Sequence, residues 1–196
     1  MIGKSQAVLA GVVVLLRDRG YTADSTSRFE GVTDQFDVRH VDLVVFGGQV
    51  LEHEREEIKR EIAGLNDHVI FEQGLAGIPG LIVRQVEGTF AGTHPYPETA
   101  PSYDANERTI NLSLGHSRAV TVIAWWQTSF IPPDPQSDSL VLLDQQLAAG
   151  SHSIPLPELV PSEAAFATVQ IGAAIYAFSV AQDPALRVTS EDAVGV

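Results

Sequence analysis

Met1-Ile2-Gly3-Lys4-Ser5 leads straight into AVLAGVVVLL (Ala7–Leu16), and a second apolar run, Val41-Asp42-Leu43-Val44-Val45-Phe46, ends in Gly47-Gly48. The first stretch reads as a helix over residues 4–19, apolar on most faces, charged at Arg17-Asp18-Arg19 and stopped by Gly20. A helix apolar nearly all round belongs inside a core. The second run is continuous and β-rich, the pattern of a strand buried on both faces and therefore of a parallel sheet. Between them the two runs decide the fold class of the first half.

The pattern holds on both sides of these runs. Tyr21–Ser27 reads as a short strand and Phe29–His40 as one or two helical turns. Glu52–Leu65 is a helix whose charges leave Leu51, Ile58, Ile62 and Leu65 for an inner face. Asp67–Glu72 gives another strand, and Pro79 opens a helix through Phe90. The alternation predicts an α/β domain over residues 1–91. Gly92, Pro95, Pro97 and Pro101 mark 92–105 as a linker. From 106 to 182 the period switches to two, with strands expected at Thr109–Leu114, Ala119–Thr128, Ser139–Leu147, Ser151–Leu156, Ala165–Ile171 and Ala173–Ala181. Short strands at that spacing predict a small antiparallel immunoglobulin-like β-sandwich. Residues 183–196 read as a polar tail.

Composition narrows the function classes. A formal net charge of −13 argues against nucleic acid and against an anionic membrane surface as partners. Of the basic residues, only Arg108, Arg118 and Arg187 lie in the second half. The chain has no cysteine, which excludes disulfides, thiolate metal sites and cysteine nucleophiles and fits a cytoplasmic protein. Ala7–Leu16 is too short to span a bilayer. With Lys4 ahead of it the run has some features of a signal peptide, but no small-residue cleavage site follows, so the buried helix is the better reading.

Residues 1–90 resemble the Rossmann-type nucleotide-binding domain of extended short-chain dehydrogenases and sugar epimerases. Those families carry Gly-x-x-Gly-x-Ile-Gly after their first strand, and Met1-Ile2-Gly3 matches its last three positions, with Lys4-Ser5 opening the helix. Val41–Phe46 with Gly47-Gly48 looks like the strand that approaches the cofactor. The resemblance implies an incomplete Rossmann/flavodoxin-like parallel-sheet domain lacking its first strand. Met1 would then be an internal methionine, or the strand would have been lost. The resemblance also implies NAD(P) as cofactor, held by Gly3, Lys4, Gly47 and Gly48, with Asp24 on the ribose hydroxyls; in Asp24-Ser25-Thr26-Ser27 the same aspartate also suits a turn. The family's tyrosine with a lysine four residues on is absent, for Ser25, Ala100, Glu107 and Val180 stand at that spacing. Gly3-Lys4-Ser5 matches the end of a P-loop but lacks the loop itself.

The remaining candidates are thin. His53 and Glu57 share a helix face, and His94 and Glu98 lie among prolines. Asp134, Asp138 and Asp144 surround a loop without the dense oxygen spacing of a calcium site. Trp125-Trp126 puts one indole on each face of a strand. Asn111-Leu112-Ser113 matches a glycosylation sequon inside an expected strand. No Gly-x-Ser-x-Gly elbow occurs. The sequence therefore offers no catalytic and no metal-ligating residue. Two functions stay open: a non-catalytic binding or assembly protein with no cofactor, and an NAD(P)-dependent oxidoreductase or epimerase with a truncated N-terminus. Strand edges left open by an absent strand predict a homo-oligomer.

Overall fold

The structure, a computed structural model, describes residues 1–92, 100–129 and 136–181. It is mixed α/β, with a small parallel sheet and two antiparallel sheets. The chain divides into two compact units: Met1–Phe90 with Gln127–Ser137, and Ala91–Trp126 with Asp138–Val196. Each is described by itself.

In the first unit the apolar N-terminal run forms α1 (Gln6–Asp18), capped by Ser5, whose hydroxyl accepts from the Val8 amide at 3.4 Å. A short helix α2 (Val32–Gln35) and a 3₁₀ turn (Val38–His40) lead to β1 (Leu43–Phe46). The charged stretch forms α3 (Glu52–Ala63), β2 covers Ile70–Gln73, and α4 runs Pro79–Phe90. β1 and β2 pair in parallel, Leu43 opposite Ile70.

Among the described residues no strand precedes α1, as the sequence implied, but Ile2 still takes part in the sheet. Ile2 bridges in parallel to Thr26 on one side and to Phe46 on the other. The Ile2 amide donates to the Val45 carbonyl at 2.9 Å, and the Gly47 amide returns to the Ile2 carbonyl at 2.8 Å. The Thr26 amide meets the Met1 carbonyl at 3.0 Å, and the Gly3 amide meets the Thr26 carbonyl at 3.1 Å. Residues 1–3 thus hold the central position, and the lateral order is Thr26 segment, Ile2, β1, β2. Conversely, the strand expected over Tyr21–Ser27 reduces to that single bridge at Thr26.

Helices cover both faces. Val8, Val12 and Leu16 of α1 pack with Ile82, Val83 and Val86 of α4 and with Val45. Ile2, Val44 and Phe46 turn the other way, against Val32 of α2 and Ile58 and Ile62 of α3. The period-two alternation of β1 assigns each residue to one helical layer.

The second unit has one core between two sheets. One sheet orders β3 (Ser102–Asp104), β4 (Thr109–Leu114) and β7 (Gly150–Pro155); the other orders β6 (Gln136–Leu147), β5 (Arg118–Ser129), β8 (Ala165–Ile171) and β9 (Ala174–Ser179). Ile110, Leu112 and Leu114 of β4 meet Val120, Val122, Ala124 and Trp126 of β5, with Ala167 and Val169 of β8. Trp126 fills this core, while Trp125 points to the other face and donates its indole N–H to the buried Thr168 hydroxyl at 2.9 Å. Part of the expected linker is a strand, because Tyr103 pairs with Ile110 and packs against the core. The rest of the linker at 93–99 and the polar tail lie outside the described residues.

Candidate functional site

In an open parallel sheet, ligands bind beyond the carboxyl ends of the strands, where neighbouring connections diverge to opposite faces. Here that point lies between the Ile2 segment, which continues into α1, and β1, which continues towards α3. Gly3 and Gly47 meet there, and Lys4 and Gly48 follow them in the chain. Gly3 is buried, and a Cβ placed on Gly47 would stand 3.4 Å from the Gly3 Cα, so the two backbones touch. Gly48 is exposed, and a Cβ there would meet nothing within 4 Å. Lys4 is exposed, with its ammonium 5.8 Å from the Phe29 ring centroid in a cation–π contact.

Asp24 is not brought to this group. The register puts Thr26 beside Ile2, so Asp24 lies below Met1, roughly 10 Å down the strand direction from the level of Gly3. Its carboxylate pairs with Arg17 at 2.6 Å, and its carbonyl accepts from the Met1 ammonium at 2.6 Å. Desolvation lowers the pKa of that ammonium to about 6, against the opposing pull of the Asp24 charge.

Three glutamines that the sequence did not single out close the loops at the strand ends. The Gln35 amide donates to the carbonyls of Arg28, Glu30 and Gly31, and its oxygen accepts from the Thr26 hydroxyl at 2.7 Å. Gln73 donates to the Phe46 carbonyl at 3.1 Å and accepts from Arg55 at 2.5 Å. Gln85 accepts from the Leu75 amide and donates to the Gln73 carbonyl. These glutamines thus bond six backbone groups of the strand-end loops. No spacing rule marks such glutamines, because their partners are carbonyls set by the tertiary fold.

The other sequence candidates disperse. His53 and Glu57 are both exposed on α3. Asp138 accepts from the Ser139 amide, and Asp144 from the Thr121 hydroxyl at 2.9 Å. Asn111 lies in β4, as expected, and accepts from Ser153. His94, Glu98 and Asp134 fall outside the described residues. Among the described residues, no group of three or more His, Asp or Glu side chains is placed to hold a metal ion, and no helix is long and apolar enough to cross a membrane.

A cavity of about 520 Å³ opens in the sheet layer of the first unit. Met1, Asp24 and Leu43 line it within the layer, Leu16 and Val86 close one side, and Ile62 lies on the other. It sits at the amino ends of the strands, away from the glycine group.

Searches against models of known families, curated proteins and solved structures found no match for this chain.

Proposed function

We propose that the protein is a non-catalytic binding and assembly protein built on a nucleotide-binding type of α/β domain followed by an immunoglobulin-like sandwich. One observation carries this reading: at the strand-end crevice, the glycines that would cradle a phosphate pack against each other. Gly3 touches Gly47, and Lys4 lies over Phe29 rather than over an open loop. The glutamine-bonded strand-end loops support it. Assembly draws support from β6, a twelve-residue strand at the edge of its sheet with Val141 57% exposed, since open edges pair with other chains.

A second reading, an NAD(P)-dependent oxidoreductase or epimerase, is favoured by the lateral order of the parallel sheet. Thr26 segment, Ile2, β1, β2 corresponds to the order 2-1-3-4 of flavodoxin-like folds, which bind their cofactor between the first and third strands. In this chain Gly3 and Gly47 occupy that point. Calorimetric titration of the purified protein with NAD(H) and NADP(H) separates the two readings. The binding reading expects no saturable heat up to millimolar nucleotide; micromolar affinity overturns it in favour of the second.

A further inference from the structure

We infer that the cavity in the parallel sheet is the seat of one more length of β-strand, contiguous with Met1 and lying ahead of it in the polypeptide. This goes beyond either reading of the strand-end crevice and depends on neither.

Ile2 is bonded on both sides, so the Thr26 segment and β1 stand two interstrand spacings apart, roughly 10 Å. That gap persists below Met1, where it becomes the cavity. Stepping back from Ile2, Met1 falls opposite Ser25 and Val45. The four positions ahead of Met1 then fall opposite residues 21–24 on one side and 41–44 on the other. All eight of these flanking residues line the cavity. Two independent flanks thus define a lane of the same length, about 13 Å at the strand rise per residue.

The walls carry a strand's hydrogen-bonding groups in phase. Ile70 and Gly74 donate to the carbonyls of Asp42 and Phe46, so the even-numbered residues of β1 bond towards β2. The odd-numbered ones, Leu43 and Val45, therefore face the lane, as the bond from Ile2 to Val45 confirms. On the opposite wall the Met1 nitrogen already donates to the Asp24 carbonyl, in the place a strand amide would take. A small apolar ligand would fill a volume of this size, but it would leave both rows of backbone groups unmatched.

Side-chain parity sets the chemistry of the occupant. Met1 packs with the α1–α4 layer and Ile2 with the α2–α3 layer. The residue just ahead of Met1 would face Val38 and Ile62, and the next would face Leu16 and Val86. A strand with helices on both sides is apolar at every position. Polar groups gather at the sheet-layer margins of the lane, where Tyr21, Asp24, Asp37, His40 and Asp42 line it and Arg17 pairs with Asp24.

The test extends the full chain by Val-Leu-Val-Val fused directly to Met1, beside a Ser-Asp-Gly-Ser extension of equal length. The apolar extension is expected to raise Tm by about 5 °C or more over the polar one. It should also slow amide exchange at Asp24 and Val45 by at least tenfold. A crosslink supplies a readout independent of stability, because the chain has no cysteine of its own. Ala23→Cys, combined with cysteine at the second residue ahead of Met1, should close an intrachain disulfide, whereas the same pair carried on the polar extension should not. Equal Tm and equal exchange for the two extensions, with no crosslink, overturn the inference. So does a dimer of the unextended chain whose mass and stability the apolar extension leaves unchanged, since a second copy would then fill the lane.

Discussion

The two units bury apolar surface by opposite means. In the two-sheet unit Ile110, Val122, Ala124, Ala165, Ala167 and Val169 are all fully buried, each supplied by a strand whose neighbour is paired along its length. The α/β unit has residues as deeply buried, Ile62, Leu81 and Val83 among them, yet a cavity of about 520 Å³ lies within its sheet. Antiparallel strands are joined by short turns to partners close in sequence. A parallel sheet relies on a central strand whose partners are distant in sequence, and here Ile2 is the one residue bridging the Thr26 segment to β1.

Matched truncations test this contrast. Ile110 and Ile62 are both 0% exposed, but only Ile62 lines the cavity. Ile110→Ala is expected to destabilise its unit by about 4 kcal/mol and Ile62→Ala its own by about 2 kcal/mol, because the cavity beside Ile62 gives its neighbours room to relax over the truncated side chain. Urea unfolding of each variant checks this; equal losses would mean that the lane is effectively packed.

A smaller effect concerns pH. The Met1 ammonium has a folded pKa of about 6, below its ordinary value of 8.0. The unfolded chain therefore binds more protons between those values, and stability rises with pH across that window. Such a gap corresponds to at most about 2.7 kcal/mol, and solvent near this half-buried residue reduces it to about 1 kcal/mol. Thermal melts at pH 6 and pH 8 should show the rise, and Nα-acetylation, which removes the titrating group, should flatten it.

The smallest expected effect is at Asp24. Its partner Arg17 is 56% exposed and Asp24 itself 59%, so Asp24→Asn should change stability by less than about 0.5 kcal/mol in a chemical melt. A larger loss would show that Asp24 holds the wall of the lane through more than this pair.

The sequence was legible where local chemistry decides. Pro79–Phe90, Thr109–Leu114 and Ala165–Ile171 stand in the structure with the bounds their patterns implied. It was opaque where distant residues decide. Three residues carry no periodicity, and Ile2 joins the sheet only through bonds to Val45 and Gly47, with its neighbours Met1 and Gly3 tied to Thr26. Ser102–Asp104 sits beside prolines, and its pairing with residues 109–111 overrides the linker composition. Of the site residues, Gly3 and Gly47 came together because each follows a paired residue, Ile2 and Phe46. Asp24 stayed apart because a parallel register, invisible in one sequence, sets its height.

The indole of Trp125, bonded to Thr168, also gives the molecule an optical asymmetry. Both tryptophans, 125 and 126, belong to the two-sheet unit, while every helix among the described residues belongs to the other. Intrinsic fluorescence therefore follows the two-sheet unit and circular dichroism at the helical band follows the α/β unit. The two can be watched melting separately in one unlabelled sample.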